Sequence, residues 1–318
     1  MQQRAKIAVA GATGRVGRHI VDILESLGHE VVPISRSHGV DVVTGEGLDD
    51  ALRGVETIID AATGPSPDQR AATDFFMASA GNLQEAGERA GVGRRVLVSI
   101  IGIDEFTGGY NAAKLAQEQA VLAGPIPARI VRAAQFHEFV EALMQWGTQG
   151  DVSYVWNMRT QLVSARTVAE ELVELATASD VEFEAATTRE IAGPREERLV
   201  DAARMVAARR GDGLRVEEAP TDPSDPDSER YAHGAALPGP DAKLAGPTFE
   251  EWLDSRWSAL RAHEPGEHFP QLELSGPGGD GRIGCGDCPQ LVLVVGLDHT
   301  ESPGAGAIEH RAEGHHLA

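Results

Sequence analysis

The strongest constraint on this chain is a glycine-rich turn that follows a short apolar run near its start. The run from Lys6 to Ala10 contains apolar and β-branched residues, and it leads into Gly11, Gly14 and Gly17 before an amphipathic stretch from Arg18 to Leu27. This order predicts a strand, a tight turn and a helix. Because glycine has no side chain, a phosphate can approach the helix N-terminus across such a turn.

The turn is spaced Gly-x-x-Gly-x-x-Gly, which differs from the Gly-x-Gly-x-x-Gly of the dehydrogenase fingerprint. Its position between a strand and a helix predicts a site for the pyrophosphate of a dinucleotide. The alternative is a plain strand-to-helix connection that binds nothing. The candidate cofactor contacts in the turn are Gly11, Thr13, Gly14, Arg15, Val16 and Gly17.

The end of the second predicted strand, Glu30 to Ile34, indicates which dinucleotide is bound. An acidic residue here would accept hydrogen bonds from the adenosine ribose, but the chain has Ser35-Arg36-Ser37. The guanidinium of Arg36 can pair with a 2′-phosphate and stack on adenine, and Arg15 is a candidate second cation. We therefore expect NADP(H) in preference to NAD(H). The alternative is a pair of solvated surface arginines.

Two further segments are predicted to border the cofactor. Val40 to Val43 is interpreted as a brief third strand, in which Asp41 is a candidate contact of the adenine amino group. Thr57 to Ala61 is a fourth strand that runs into a Gly/Pro loop. The backbone of Ala61, Ala62 and Thr63 is a candidate cofactor wall, because open α/β sheets bind ligands at the carboxyl ends of strands. For Asp60, a ligand contact and a capping role both stay open.

The rest of the N-terminal half alternates helices with apolar strands. Gln69 to Ala90 has a long helical pattern, Arg95 to Ile101 is a fifth strand and Ala128 to Arg132 is a sixth. Such alternation is typical of a parallel sheet with helices on both faces. The sequence therefore predicts an α/β, Rossmann-type doubly wound sheet.

Three residues between the fifth and sixth strands form a candidate catalytic set. Ser99 lies near the end of the fifth strand, and Tyr110 and Lys114 are one turn apart on the helix that follows. A ketone reductase needs a hydroxyl acid, a second hydroxyl that orients the carbonyl oxygen, and a cation that lowers the acid's pKa. Lys114 can also reach the nicotinamide ribose. The alternative is a helix with an exposed Tyr and Lys.

The glycine turn from Gly11 to Gly17, Ser99, and Tyr110 with Lys114 together resemble the short-chain dehydrogenase/reductase superfamily, in particular its atypical, NmrA-like NAD(P)-binding branch. The resemblance covers residues 4 to 261. It implies that Tyr110 is the acid/base, Lys114 its activator and ribose ligand, and Ser99 the hydroxyl that orients the carbonyl. No counterpart of the superfamily's additional catalytic asparagine is identified, and the branch includes proteins that bind a dinucleotide without turning it over.

The residues that follow the sixth strand are candidate substrate contacts: Gln135, Phe136 and His137. A structural hydrogen bond is the alternative role for His137. We expect an NAD(P)-binding domain over residues 1–150, a small α+β substrate lobe over 151–261, and a disordered tail over 262–318. Pro220 to Pro240 is predicted to be a loop beside the substrate cleft. Thr248 and Glu251 form the pattern of a capping box.

Charge and cysteine content limit the classes of partner. A formal net charge of −21 argues against a nucleic-acid partner, because phosphate binding requires a basic face. We see neither a signal segment before the first strand nor a membrane-spanning apolar run, so we expect a cytoplasmic protein with no membrane partner. Cys285 and Cys288 match no standard zinc spacing, and no metal is expected. The expected assembly is a monomer or a homodimer.

The leading hypothesis is an NADP(H)-dependent oxidoreductase that reduces a small carbonyl-type substrate. One alternative is a non-catalytic regulatory protein that senses NADP(H) and reports to a protein partner. The third is a nucleotide-sugar epimerase or dehydratase, which ranks lower because the C-terminal lobe is small for a sugar nucleotide and Arg36 disfavours tightly held NAD.

Overall fold

The computed structural model describes residues 4–220 and 227–263. The strands of the described chain are β1 (Lys6–Ala10), β2 (Glu30–Ile34), β3 (Thr57–Asp60), β4 (Arg94–Ile100), β5 (Ala128–Ala133), β6 (Thr148–Gln149), β7 (Val152–Val155), β8 (Arg159–Thr160), β9 (Thr188–Ala192), β10 (Glu197–Arg198), β11 (Arg215–Glu218) and β12 (Lys243–Leu244). The helices are α1 (Gly17–Ser26), α2 (Leu48–Ala51), α3 (Gln69–Ala90), α4 (Gly109–Ala123), α5 (Val140–Trp146), α6 (Ala165–Ala176), α7 (Asp180–Glu184), α8 (Leu199–Arg210), α9 (Ser228–Ala232) and α10 (Phe249–His263).

A seven-stranded parallel sheet forms the centre of the molecule, with the strand order β12-β9-β5-β4-β3-β1-β2. Its inner strands are buried on both faces, and so they consist largely of apolar residues without strict alternation. On β4, Val96 and Val98 belong to the same core as residues of α1 and α6, whereas Leu97 packs with residues of α3 and α4. The predicted Rossmann-type doubly wound fold is confirmed.

The strand order places a crevice at the carboxyl ends of β1 and β3. β1 pairs with β2 on one side and with β3 on the other, so the chain reverses its direction of progress across the sheet at β1. Ligands of open α/β sheets bind at such a switch point. The glycine turn follows β1 and the segment Ala61–Thr63 follows β3, and both therefore lie at this crevice.

The predicted third strand from Val40 to Val43 is wrong. The carboxylate of Asp41 accepts hydrogen bonds from the backbone amides of Val43 (2.7 Å) and Thr44 (3.3 Å) and closes a turn. This local side-chain bond competes with sheet pairing. Within the described residues, β2 is consequently the edge strand on this side of the sheet.

The C-terminal part of the chain both extends the central sheet and builds smaller ones. β9 and β12 add two parallel strands beyond β5. β6, β7 and β11 form a three-stranded sheet, and β8 pairs with β10. The capping box of α10 is confirmed, since Thr248 and Glu251 each accept from the other's backbone amide, at 3.2 Å and 2.9 Å.

The segment predicted as a loop from Pro220 to Pro240 contains the short helix α9. Its Tyr231 is buried, stacks on Phe106 at 4.3 Å and accepts a hydrogen bond from the Asn111 amide at 2.6 Å. Asp227 accepts from the backbone amide of Thr107 at 3.1 Å. These long-range contacts stabilise helical structure where the Asp/Pro/Ser content predicted none.

Predictions for the tail beyond residue 263, including Cys285 and Cys288, lie outside the described residues. In the described part, no helix is both long and apolar enough to span a membrane. Among the same residues, no group of three or more His, Cys, Asp or Glu side chains is arranged to hold a metal ion.

Candidate active site at the carboxyl edge of the sheet

The glycine turn is a tight cradle that excludes side chains at two positions. Gly11 has a φ of +75°, and a β-carbon there would lie 2.6 Å from the carbonyl oxygen of Ala61. A β-carbon at Gly17 would lie 2.0 Å from the carbonyl oxygen of Gly11. The Gly14 amide donates to that same oxygen at 2.9 Å. The turn therefore packs directly against the end of β3 and leaves the N-terminus of α1 open to a phosphate.

Arg15 extends from the turn toward β5, whereas Thr13 is exposed and Val16 is buried. The guanidinium of Arg15 donates to the backbone carbonyl of Glu138 at 3.0 Å. Glu138 follows β5, which is four strands from β2 in the sheet. The Arg15 side chain therefore extends toward the segment after β5, and its contact with a 2′-phosphate stays a prediction.

The segment after β2 forms a small polar cluster. Arg36 is exposed on a 3₁₀ helix from Arg36 to His38. The Ser35 hydroxyl lies 2.9 Å from that of Ser37 and 2.7 Å from Nδ1 of His38. Oδ1 of Asp41, the residue predicted to contact adenine, accepts both hydrogen bonds of the turn that it caps. Arg36, with hydroxyls beside it, is the feature that remains available for a phosphate here.

The segment from Ala61 to Thr63 follows β3 at the crevice and stays a candidate cofactor wall, whereas the side chain of Asp60 lies in the core. Asp60 is fully buried and its carboxylate bonds to the guanidinium of Arg95 at 2.5 Å. Its other oxygen accepts from the Ala62 amide at 3.1 Å. Of the two roles left open for Asp60, the structure favours capping, together with a buried ion pair that the sequence did not indicate.

Tyr110 lies at this edge of the sheet, with its side chain almost fully buried. Its hydroxyl is 3.2 Å from the hydroxyl of Thr63, and its ring meets Phe76 edge-on at 5.4 Å. Burial raises the pKa of Tyr110 above its ordinary value, and the hydrogen bond with Thr63 opposes this only in part. The sequence predicts the opposite direction, since it assumes a lysine that lowers the pKa of the acid. The correction arises because no charge offsets the loss of solvation.

Lys114 shares a helix face with Tyr110, as predicted, but its ammonium points to a different partner. Its Nζ donates to Oε1 of Gln117 at 2.7 Å and lies 4.7 Å from the centre of the Phe76 ring. Burial lowers the pKa of Lys114 to about 8, while the carboxylates of Asp60 and Glu118 oppose the change. The Phe76 ring therefore contacts both predicted catalytic side chains.

Ser99 is fully buried on β4, and its hydroxyl has no hydrogen-bond partner among the described residues. A buried hydroxyl without a partner costs free energy unless water or a ligand satisfies it. Ser99 precedes the last residue of β4, at the edge of the sheet where the turn and Tyr110 lie. This unsatisfied hydroxyl and the glycine cradle are the two observations that fit a bound dinucleotide with its substrate.

The candidate substrate residues after β5 are fully buried. Gln135 bonds to the Thr160 hydroxyl through Oε1, and its Nε2 has no partner among the described residues. Phe136 pairs with Val163 in an isolated β-bridge. His137 packs against Phe249 and Trp252 of α10, with ring centres 5.4 and 5.2 Å away. In the structure, His137 therefore helps to pack α10 against the rest of the protein.

Acid should destabilise the protein through His137. Burial lowers the pKa of this side chain from 6.5 to about 4, so the folded state favours the neutral ring. The stabilising contribution is complete above pH 6.5 and is lost as the pH falls toward 4. We expect His137→Gln to remove about 2 kcal/mol of the loss in unfolding free energy between pH 7 and pH 5. Urea unfolding at both pH values measures it.

The matched control for this experiment is His233→Gln, at an exposed position. It should leave the pH dependence of the unfolding free energy as in the wild type. Equal pH dependence in the wild type and His137→Gln would contradict the assignment.

Sequence reasoning missed the residues behind the predicted catalytic set: Phe76, Arg95 and Gln117. Arg95 and Gln117 are fully buried polar side chains, and both reach Asp60, which lies 35 residues before Arg95 and 57 before Gln117. The one available signal was Arg95 itself, because a charged residue inside an apolar strand requires a buried partner.

Comparisons with known proteins agree with this geometry. A family model described as NAD(P)H-binding matches residues 11–179. No curated protein matches the chain. Many solved structures match, and all of those described next are less than 25% identical, so that they show the fold alone.

One similar structure is a short-chain dehydrogenase/reductase superfamily protein from Agrobacterium tumefaciens with bound NAD (20% identity, TM-score 0.58, 81% of this chain and 97% of the other). A second is UDP-glucose 4-epimerase with UDP-glucose from Thermotoga maritima (14%, TM-score 0.62, 81% and 99%). A third is TunA, an NAD-dependent NDP-hexosamine 5,6-dehydratase involved in tunicamycin biosynthesis (15%, TM-score 0.61, 82% and 99%).

Proposed function

The chain belongs to the NAD(P)H-binding family, and from that premise we propose that it is a member of the short-chain dehydrogenase/reductase superfamily and an NADP(H)-dependent reductase of a small carbonyl compound. The observation that carries the proposal is the position of the Tyr110 hydroxyl, 3.2 Å from the hydroxyl of Thr63. Thr63 follows the same strand end whose Ala61 carbonyl faces Gly11. A tyrosine hydroxyl therefore lies beside the cradle at the switch point, which supports a role for Tyr110 as the acid.

The residues that would hold the dinucleotide run along the crevice. Gly11, Gly14 and Gly17 admit the pyrophosphate at the N-terminus of α1, and the backbone of Ala61 to Thr63 forms the wall. Lys114 is the candidate ligand of the nicotinamide ribose. When bound, a reduced nicotinamide dinucleotide supplies the hydride that a carbonyl carbon accepts.

The chain's own residues would then supply the proton and orient the substrate. Tyr110 donates its hydroxyl proton to the carbonyl oxygen, and a tyrosinate remains until it is reprotonated. Burial raises the pKa of Tyr110, so the phenol is protonated at neutral pH, and the same burial disfavours the tyrosinate that the reaction forms. Ser99 donates a hydrogen bond to the same oxygen, which satisfies its own buried hydroxyl. A panel of aldehydes and ketones with NADPH, followed by NADPH oxidation, tests the reaction.

The preference for NADP(H) depends on Arg36. Arg36→Ala should raise the Kd for NADPH about tenfold, because a charge-assisted bond to the 2′-phosphate is lost, and should leave the Kd for NADH within about twofold. Fluorescence titration with each nucleotide measures both values. Arg53→Ala is the control, since Arg53 is also exposed and forms an ion pair with Asp50, three residues earlier on the chain. An equal loss of NADPH and NADH affinity in Arg36→Ala would overturn the preference.

A sensor that binds NADP(H) without turnover is the second candidate, and a specific observation favours it. Tyr110 and Lys114 are only 1% and 2% exposed, and the Lys114 ammonium bonds inward to Gln117. A site used only for binding needs no access to these groups. Nucleotide binding without turnover of any carbonyl compound, together with a protein complex that forms with NADP+ and not NADPH, would support the sensor.

The sugar-nucleotide enzymes among the similar structures suggest a third set of compounds for the substrate test. Two of them act on, or hold, nucleotide sugars according to their names. UDP-glucose is therefore included in the panel, with NAD+ and with NADP+. Conversion of UDP-glucose and no reduction of any carbonyl compound would favour an epimerase or dehydratase over the reductase.

A further inference from the structure

Lys114 is one of three lysines in the chain, with Lys6 and Lys243, and its side chain is buried. The other two lie at the surface in ion pairs with glutamates. The Lys114 ammonium donates to a neutral amide, Gln117, at 2.7 Å and rests over the face of Phe76. An ammonium removed from water requires such specific support.

The support continues beyond Gln117. Its Nε2 lies 3.5 Å from Oδ2 of Asp60, the oxygen that also binds Arg95 at 2.5 Å. The Arg95 guanidinium is further fixed by a hydrogen bond of 3.2 Å to the backbone carbonyl of Ala80 on α3. Asp60, Arg95 and Gln117 are all fully buried. Gln117 thus connects the Lys114 ammonium to the buried ion pair of Asp60 and Arg95.

The charges around Lys114 come from three elements. Asp60 at the end of β3 and Glu118 on α4 favour the charged amine, and Arg95 on β4 disfavours it. The carboxylate of Glu118 forms an ion pair with the guanidinium of Arg132, with a nitrogen-to-oxygen distance of 2.7 Å. From α4 itself Tyr110 presents a neutral phenol, and α3 presents the neutral ring of Phe76. The amide oxygen of Gln117 is the group in direct hydrogen-bond contact with the ammonium.

We propose that Gln117 is a positioning residue, which holds the Lys114 ammonium in this inner place by linking it to the Asp60–Arg95 pair. The consequence for catalysis rests on the proposed function, because only there does Lys114 meet the nicotinamide ribose. Gln117 favours the charged form of the amine and fixes where the ammonium lies when no cofactor is bound. It touches neither cofactor nor substrate and acts through Lys114.

The three lysines make a direct test practical. With an NMR label at the lysine ε-carbon, the chain gives three signals, which Lys6→Arg and Lys243→Arg assign. Burial lowers the pKa of Lys114 to about 8, so its signal should titrate near that pH in the wild type. Gln117→Met keeps the length of the side chain and removes the acceptor. We expect the Lys114 midpoint to fall by about one pH unit in this variant.

Two further variants decide between positioning and a general structural effect. Gln119→Met makes the same change at an exposed position of α4 and should leave the midpoint unchanged. Gln117→Glu restores an acceptor with a charge, and the midpoint should rise by about one pH unit. It carries the test alone if Gln117→Met does not fold. An unchanged midpoint in the Gln117 variants that fold would overturn the proposal.

Titration with NADP+ separates this inference from the proposed function. NADP+ should shift the Lys114 signal of the wild type and leave those of Lys6 and Lys243 in place. If the midpoints move as expected and NADP+ shifts no signal, Gln117 positions Lys114 and the cofactor site is wrong. If NADP+ shifts Lys114 and the Gln117 variants keep the wild-type midpoint, the cofactor site stands and the inference fails.

Discussion

Replacing Tyr110 by Phe should lower kcat for NADPH-dependent carbonyl reduction at least about a hundredfold, because the variant has no proton to donate. Its NADPH affinity should stay within about twofold of the wild type. The ring keeps its edge-on contact with Phe76, and the half-buried Thr63 hydroxyl loses one partner. Steady-state kinetics on a substrate found in the carbonyl panel, with fluorescence titration of NADPH, measure both quantities.

The matched control is Tyr154→Phe, which removes a hydroxyl from β7 rather than from the crevice. It should leave kcat and NADPH affinity at their wild-type values. Wild-type turnover in Tyr110→Phe would remove Tyr110 from the mechanism. A wild-type kcat together with a loss of NADPH affinity would instead give the hydroxyl a role in binding alone.

The sheet and its helices could be predicted because their signals are local. α3 begins and ends at the predicted residues: Asp68 caps its first turn, and Gly91, with a φ of +75°, ends it. The strands β1, β3, β4 and β5 are buried on both faces, so their apolar runs stand out between helical patterns. The glycine turn could also be predicted from the sequence, since Gly11 and Gly17 occupy positions where no β-carbon fits.

The errors in the predicted secondary structure occur where a side-chain hydrogen bond sets the backbone conformation, or where the contacting residues are distant in sequence. Asp41 turns an apolar run into a capped turn, and Tyr231 converts a Pro- and Asp-rich segment into a docked helix. The pattern of apolar and polar residues along the chain does not indicate either of these contacts.

In the candidate site, the sequence predicts where the side chains lie on the helix but not which groups they contact. Helical spacing correctly places Tyr110 and Lys114 on one face. It does not say that Lys114 bonds to Gln117, because that direction depends on a rotamer and on a buried charge supplied from β3. The motif therefore predicts which residues meet, whereas the packing around them decides their pKa values.

The ion pair between Asp60 and Arg95 should dominate the stability of this edge. Arg95→Met leaves the Asp60 carboxylate buried without its cation, and we expect a loss of about 3–5 kcal/mol in unfolding free energy. Urea unfolding at neutral pH measures the loss. Arg53→Ala is the comparison, because its pair with Asp50 is exposed on both sides and should contribute no more than about 1 kcal/mol.

The double variant Asp60→Asn/Arg95→Met shows whether the cost arises from the unpaired charge. An amide at position 60 can still accept from the Ala62 amide and approach Gln117, and it removes the unpaired carboxylate from the core. Most of the stability lost in Arg95→Met should therefore return, since the desolvation cost of an isolated carboxylate is removed. If the double variant is as unstable as Arg95→Met, the lost packing of the arginine side chain, and not the charge of Asp60, determines the stability of this edge.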